Sequence, residues 1–130
     1  MITGACLCGA NAFELDAEPG PVTACHCGQC RRYSGFHAAS IDYEPDTLRW
    51  LRQGHLTRFT HPSGSERIFC GRCGTKIGFR YADGGLSLEA GLLDSPTGAR
   101  MAQHIFTADK GDYYDIADGL PQQQQYGSET

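Results

Sequence analysis

Residues 25–32 read CHCGQCRR, so three thiols fall within six positions and two arginines follow directly. A structural zinc takes four protein ligands in a tetrahedron, whereas a catalytic zinc takes three and leaves the fourth position to water or substrate. The three local cysteines Cys25, Cys27 and Cys30 therefore indicate an open metal site.

The remaining four cysteines form two pairs, each followed by a glycine. The first pair is Cys6 and Cys8, and the second is Cys70 and Cys73. A glycine after each pair lets the backbone turn its amide groups toward the thiolates. We expect the two pairs to hold one closed, structural zinc, which brings the prediction to two zinc ions per chain.

Two other uses of the cysteines stay open at this stage. A disulfide framework would leave one of the seven thiols unpaired, and residues 27–30 could be a redox motif. The start of the chain lacks the basic region and apolar segment of a secretory signal, so we expect a cytoplasmic protein with reduced cysteines. No βαβ pattern, the usual setting of the redox motif, is visible.

Composition limits the classes of function. The chain has 130 residues, a net charge of -4 and a pI near 5.6, which argues against nucleic acid as a partner. No apolar run reaches membrane-spanning length. We expect one zinc-binding domain at residues 1–121 and a polar, disordered tail at residues 122–130, because the glutamine-rich end cannot bury enough apolar surface.

Alternating patterns and turn residues predict a mainly β fold. Strands are predicted at residues 10–16, 36–43, 47–52, 56–60, 66–69, 76–81, 86–93 and 104–107. Arg31–Ser34 can form one helical turn closed by Gly35, and Asp112–Ile116 can form another.

Five segments together resemble the glutathione-dependent formaldehyde-activating enzyme family, which also includes centromere protein V. They are GACLCG at residues 4–9, CHCGQCRRYSG at 25–35, FCGRCGT at 69–75, and HIF at 104–106 with DGLP at 118–121. The resemblance implies a zinc-stapled β-tent fold of short antiparallel strands and an enzyme that condenses formaldehyde with glutathione. It matches Cys6, Cys8, Cys70 and Cys73 to a structural zinc, and Cys25, Cys27 and Cys30 to a catalytic zinc.

The chemistry of the open site agrees with that activity. Three thiolates on a zinc ion favour a fourth ligand derived from a thiol, and a thiol bound there loses its proton and can attack an aldehyde carbon. We therefore expect a zinc-dependent carbon-sulfur lyase that acts on a small-molecule thiol and an aldehyde, with no nucleic acid or membrane partner. A non-catalytic zinc module for interactions is the alternative, and the same zinc acting on a different thiol or aldehyde is a narrower one.

Several side chains are candidates for the surroundings of the open site. Arg31 is predicted to bind a substrate carboxylate or offset the thiolate charge, and Arg32 could do the same, although either could equally face solvent. His26 is expected to point away from the metal. His37 and His104 are candidates for pocket lining, or for histidines satisfied at strand ends.

Hydroxyl and carboxyl groups give weaker expectations. Thr75 can donate a hydrogen bond to a cysteine sulfur or satisfy turn backbone. Tyr113 and Tyr114 can close a pocket wall, with core packing expected for at least one. The three carboxylates Asp112, Asp115 and Asp118 are expected to form a solvated face.

Overall fold

The computed structural model of the protein describes residues 1–126 and confirms the mainly β fold. Its strands are β1 (Ile2–Ala5), β2 (Asn11–Leu15), β3 (Val22–Cys25), β4 (Ala38–Tyr43), β5 (Leu48–Gln53), β6 (Leu56–Thr60), β7 (Glu66–Cys70), β8 (Lys76–Arg80), β9 (Leu86–Glu89) and β10 (Met101–Ile105). Over the same residues there is one α-helix, α1 (Gly28–Ser34), and there are 3-10 helices at Pro45–Thr47, Ala90–Leu92 and Thr107–Asp109. None of the helices in this part of the chain is long and apolar enough to cross a membrane.

The first of two compact units comprises Met1–Gly20 and Ser40–Ala99 and is made of antiparallel strands. One sheet has the order β1-β2-β5, with Phe13 paired between Gly4 and Trp50. A second row of strands runs β4-β9-β8-β7-β6. Short turns connect β5 to β6, β6 to β7 and β7 to β8 along the chain; β6, β7 and β8 also pair in the sheet, and the turn between β7 and β8 holds a cysteine pair.

The core of this unit consists of apolar side chains from the strands. The most deeply buried large ones are Phe13, Leu15, Ile41, Ile77 and Leu88. The Phe13 ring meets Trp50 edge-on, with ring centroids 5.6 Å apart and planes at 80°, a geometry that aromatic pairs favour.

Gly4 is required by this core. A Cβ atom at residue 4 would lie 2.5 Å from Cζ of Phe13 and 2.8 Å from the carbonyl oxygen of Leu92. Both distances are shorter than van der Waals contact, so a larger residue would push Phe13 out of its position.

The second unit comprises Pro21–Ala39 and the chain from Arg100 onward, and it is built on the parallel strands β3 and β10. Helix α1 begins after Cys27, which is its N-cap, and ends at Gly35 with φ 84°. The prediction placed this turn and its glycine end correctly but began the helix at Arg31 instead of Gly28. Glycine suits the left-handed conformation at a helix end because it has no Cβ atom.

The helical turn predicted at Asp112–Ile116 is wrong, because this segment is not helical. Lys110 Nζ donates hydrogen bonds to the carbonyl oxygens of Gly111 (3.1 Å) and Tyr114 (2.6 Å), which a helix would need for its own amide groups. The helical turn of this region lies earlier, at Thr107–Asp109.

The residues after Leu120 run beside β10. The amide of His104 donates to the carbonyl of Pro121, and that of Gln123 donates to the carbonyl of His104, both at 2.9 Å. The amide of Phe106 donates to Gln125 at 3.0 Å. The beginning of the predicted disordered tail is thus held by backbone hydrogen bonds. Residues 127–130 lie outside the described residues, and the boundary at residue 121 stays a prediction.

Candidate metal centres

The two cysteine pairs of the first unit converge into one cluster. It consists of Cys6, Cys8, Cys70 and Cys73, whose sulfur atoms all lie within 4.8 Å of one another. Cys8 Sγ is 3.8 Å from the sulfurs of Cys6 and Cys70. A tetrahedron with zinc–sulfur bonds of about 2.3 Å has sulfur atoms about 3.8 Å apart. The cluster could therefore hold a zinc ion with all four positions filled by protein.

Backbone and side-chain donors surround these sulfurs. The amides of Arg72 and Cys73 both lie 3.4 Å from Cys70 Sγ, and the Thr75 hydroxyl is 3.1 Å from Cys73 Sγ. Thr75 also accepts a hydrogen bond from the amide of Leu7, so it joins the two turns that carry the cysteines. Donors directed at sulfur stabilise the thiolate that a metal requires.

The ionisation of the cluster is compatible with a bound cation. The hydrogen bond from Thr75 lowers the pKa of Cys73 to about 5. A backbone hydrogen bond from Ala10 favours the Cys8 thiolate, but burial and the neighbouring thiols raise the pKa of Cys8 to about 11. Four adjacent thiolates repel one another, and a divalent ion at their centre removes that repulsion.

The three cysteines of the CHCGQC motif form a second cluster in the other unit, with their sulfurs also within 4.8 Å of one another. Cys25 ends β3, Cys27 caps α1 and accepts a hydrogen bond from the amide of Cys30, and Cys30 is buried on the first turn of that helix. Hydrogen bonds from Cys25 and Cys30 lower the pKa of Cys27 to about 2, whereas the contacts of Cys25 with Cys27 and Cys30 raise the pKa of Cys25. The donor set fits a metal ion bound by three thiolates.

Within residues 1–126, no fourth histidine, cysteine or carboxylate joins this second cluster. His26 stands between two of its cysteines, but its ring is buried and both its nitrogens are engaged elsewhere. Nδ1 lies 2.6 Å from the Tyr114 hydroxyl, and Nε2 lies 2.9 Å from Nδ1 of His104. Burial, together with the charges of His37, His104 and Lys110, lowers the pKa of His26 to about 4.

Tyr114, His26, His104 and Asp118 thus form a hydrogen-bonded chain of four side chains. It continues from His104, whose Nε2 lies 2.8 Å from a carboxylate oxygen of Asp118. His104 is buried, while the side chain of Asp118 is 43% exposed. Asp118 is exposed, as the prediction of a solvated face expected, and its carboxylate also contacts His104. The hydrogen bond from the Leu120 amide and the one from His104 hold the pKa of Asp118 below its usual range.

Sequence reasoning missed this chain because its members are far apart. His26 and Tyr114 are separated by 88 positions, and His26 and His104 by 78. The parallel register of β3 and β10, which pairs Ala24 with His104, brings them together. The resemblance already included the HIF and DGLP segments, and these contain two members of the chain.

Aromatic side chains of the same unit gather next to His26. The Phe36 ring lies 4.2 Å from His37 and 4.5 Å from Tyr114, and the ring of Tyr113 lies 5.3 Å from that of Tyr114. Phe36 and Tyr113 remain 46% and 60% exposed. These rings give a partly open apolar wall, and the Tyr113 hydroxyl fixes it by donating to the carbonyl of Gly35.

The two arginines after the second cluster differ in setting. Arg31 Nη1 donates to the carbonyl oxygen of Asp109 at 3.1 Å, so its side chain is anchored in this unit. Arg32 is exposed, which agrees with the alternative that it faces solvent.

Comparison with known proteins supplies the assignment. Residues 1–109 match the sequence profile of the glutathione-dependent formaldehyde-activating enzyme family. The chain belongs to this family. A lyase of Schizosaccharomyces pombe, itself uncharacterized, is 30% identical over 118 residues, which cover 88% of this chain and 84% of the relative. The fold is shared with the crystal structure of a Rhodobacter sphaeroides protein, with a TM-score of 0.56 and 22% identity over 76% of this chain and 99% of that one.

Family membership supports the recognition made from the cysteine motifs and a carbon-sulfur lyase type of function in the broad sense. The donors fit metal ions on both clusters: four thiolates and nearby amides in one, three thiolates in the other. The family is one of thiol and aldehyde chemistry.

Proposed function

We propose that the protein is a zinc-dependent carbon-sulfur lyase that joins a thiol such as glutathione to formaldehyde or another aldehyde. The observation that carries this proposal is the cluster of Cys25, Cys27 and Cys30, which offers three sulfur ligands and, within the described residues, no fourth. A zinc ion on these residues would leave one position for a substrate thiol and would lower the pKa of that thiol.

Under this proposal the two cysteine clusters have different tasks. Cys6, Cys8, Cys70 and Cys73 hold a structural zinc that joins the turn after β1 to the turn between β7 and β8. Cys25, Cys27 and Cys30 hold the zinc of the active site. The cofactor is then two zinc ions per chain, and the protein works in the cytoplasm, where its cysteines stay reduced.

Arg31 is proposed to bind the substrate. It is anchored by one hydrogen bond to the Asp109 carbonyl, which leaves other guanidinium N–H groups for a carboxylate. Glutathione carries two carboxylates, so a planar guanidinium beside the cluster suits it. The exposed rings of Phe36 and Tyr113 can cover the bound reactants and exclude water from the adduct.

The test is zinc content combined with adduct kinetics. The uncatalysed reaction of thiols with formaldehyde proceeds by itself, so formation and breakdown of the adduct are measured by exchange NMR with and without protein. We expect two zinc ions per chain and faster exchange with at least one thiol and aldehyde pair. Cys27→Ser should abolish the acceleration, whereas Cys8→Ser should act through stability.

Cobalt replacement gives a second measurement. Cobalt on the three-cysteine cluster should change its visible spectrum when glutathione or another candidate thiol is added, because the thiol enters the coordination sphere. No spectral change and no acceleration across a broad thiol and aldehyde panel would refute the enzyme and favour a zinc module for interactions.

A further inference from the structure

We propose that Asn11 is a positioning residue of the four-cysteine cluster: it holds the Cys6 sulfur in place for a metal ion and shields that sulfur from electrophiles. Two donors of Asn11 are directed at Cys6 Sγ, the backbone amide at 3.4 Å and the side-chain Nδ2 at 3.6 Å. The inference rests on the structural zinc of the proposed function and does not depend on the lyase activity.

The position of Asn11 is unusual for its residue type. Asn11 begins β2 and is only 1% exposed, so its side chain is as buried as those of the apolar core. Asparagine is depleted in strands, and burying an amide group costs free energy unless its polar atoms have partners. An apolar residue would avoid that cost, so the value of asparagine here lies in the contacts of its polar atoms.

The orientation of the Asn11 amide group follows from its second contact. The side-chain oxygen Oδ1 accepts a hydrogen bond from the backbone amide of His55 at 3.2 Å. A backbone amide can only donate, so the oxygen must face His55 and the NH2 group must face the sulfur of Cys6. The opposite orientation would set two donors against each other at His55 and two acceptors against each other at Cys6.

The same contacts connect the turn of Cys6 to the second cysteine pair. The amide of Cys6 donates to the backbone carbonyl of Asn11 at 3.0 Å, which closes the turn that carries the first pair. The carbonyl of His55 accepts from the amide of Gly71 at 2.7 Å, in the turn that carries the second pair. His55, in the turn between β5 and β6, therefore holds both cysteine turns, one of them through the Asn11 side chain.

This arrangement has two effects on a thiolate that binds a metal. The sulfur is fixed before the ion arrives, so less conformational entropy is lost when the site fills. The N–H groups of Asn11 also withdraw charge from the lone pairs of the sulfur, and a thiolate with less charge is a weaker nucleophile. Electrophiles such as aldehydes are therefore less able to react at Cys6 and to release the structural zinc.

Cadmium NMR tests the hydrogen bonds directly in the wild-type chain. Cadmium replaces zinc at thiolate sites, and its nuclear spin couples to protons that are hydrogen-bonded to a coordinating sulfur. Asn11 is the only asparagine in the sequence, so a nitrogen label on asparagine leaves a single backbone amide and a single NH2 group to observe. We expect cadmium coupling to that amide proton and to one of the two NH2 protons.

A pair of variants measures the effect on the metal site. Asn11→Leu removes the polar side-chain atoms at nearly constant volume, and Gln53→Leu is the matched control, because Gln53 pairs with Asn11 in the sheet but is exposed. In chelator competition, Asn11→Leu should lower the metal affinity of the four-cysteine cluster about 10–100-fold, the usual effect of losing a hydrogen-bond partner of a metal ligand. Gln53→Leu should retain the wild-type affinity.

Alkylation by iodoacetamide separates positioning from a general loss of structure. Mass spectrometry of the peptides gives a rate for each cysteine of the metal-loaded protein. In Asn11→Leu the rate at Cys6 should rise, while the rates at Cys70 and Cys73 should change little, because donors of their own turn remain at those sulfurs. Gln53→Leu should leave all three rates unchanged.

The outcomes distinguish this inference from the proposed function. Cadmium bound by the four cysteines without coupling to an NH2 proton of Asn11 would overturn the role of the side chain, and this measurement decides the matter even if Asn11→Leu does not fold. Equal acceleration of alkylation at all four cysteines, or an affinity equal to that of the control, would also overturn it. Cadmium that does not bind this cluster would refute the structural zinc, and the inference with it.

Discussion

The four-cysteine cluster leads to a prediction for Cys8→Ser. Cys8 is exposed, so serine loses almost no packing there, but the substitution removes one ligand from a site that joins residues 62 positions apart. Closing a loop of that length removes chain entropy from the unfolded state worth about 4 kcal/mol, by the relation used for crosslinks. Structural zinc as a whole contributes on the order of 10 kcal/mol of folding free energy in small domains. A loss of about 4 kcal/mol is therefore the lower of the two expected effects on stability.

Thermal unfolding measures this effect. With an unfolding entropy of about 2.1 cal/mol/K per residue, a loss of 4 kcal/mol in a chain of this length lowers the melting temperature by roughly 15 °C. Leu7→Ser is the matched control, because the Leu7 side chain is 87% exposed and its amide bond to Thr75 does not depend on the side chain. A Cys8→Ser variant that melts within a few degrees of this control would show that the cluster holds no structural metal.

The other predictions concern the open cluster, the core and one histidine. Mild chelation should remove one zinc while the fold survives, because the three-cysteine cluster closes only a local loop. For the same reason, Cys27→Ser should keep the melting temperature but lose one zinc and the adduct activity. Equal resistance of both metals to the chelator would contradict this. Gly4→Ala should cost about 1–3 kcal/mol in chemical unfolding, because its Cβ atom would lie 2.5 Å from Phe13, and an unchanged midpoint would show that Phe13 moves freely. Burial and the charge of His104 lower the pKa of His37, although a hydrogen bond to the Ala38 backbone opposes them. NMR titration of His37 should therefore give a midpoint below about 6.5. The stability that this group contributes is complete above its unfolded pKa and is lost as the pH falls through its folded pKa. A midpoint at or above 6.5 would contradict the burial of that ring.

The strands of the first unit follow closely from the sequence. Leu56–Thr60 was predicted with the bounds it has, and residues 66–69 and 76–81 differ from β7 and β8 by one residue. Turn residues and the cysteine pairs mark these elements locally, so pattern alone is sufficient. β1 was missed because four residues with a glycine carry little pattern, and its place depends on pairing with β2.

The cysteine clusters were predictable, and the hydrogen-bonded chain from Tyr114 through His26 and His104 to Asp118 was not. Ligand spacing within each motif is a local signal, and two pairs plus one triplet can be grouped by counting. The contact of His26 with Tyr114 depends instead on how β3, β10 and the segment after Lys110 fold together. Asp118 is exposed, as expected, but its contact with His104, 14 positions away, has no local signal in the sequence.

The edge strands of the two sheets in the first unit affect the tendency of the protein to aggregate at high concentration. β5 and β6 each have a neighbour on one side only in their sheets, so one row of backbone donors and acceptors is open on each. Both strands carry charged side chains, Arg49 and Arg52 on β5 and Arg58 on β6, and Arg49 and Arg58 pair with Glu14 and Glu66 of the adjacent strands. A second molecule that approaches edge to edge must strip water from these charged groups, which opposes intermolecular strand pairing. The protein can therefore expose Leu51 and Phe59 on the same strands without offering an easy template for aggregation.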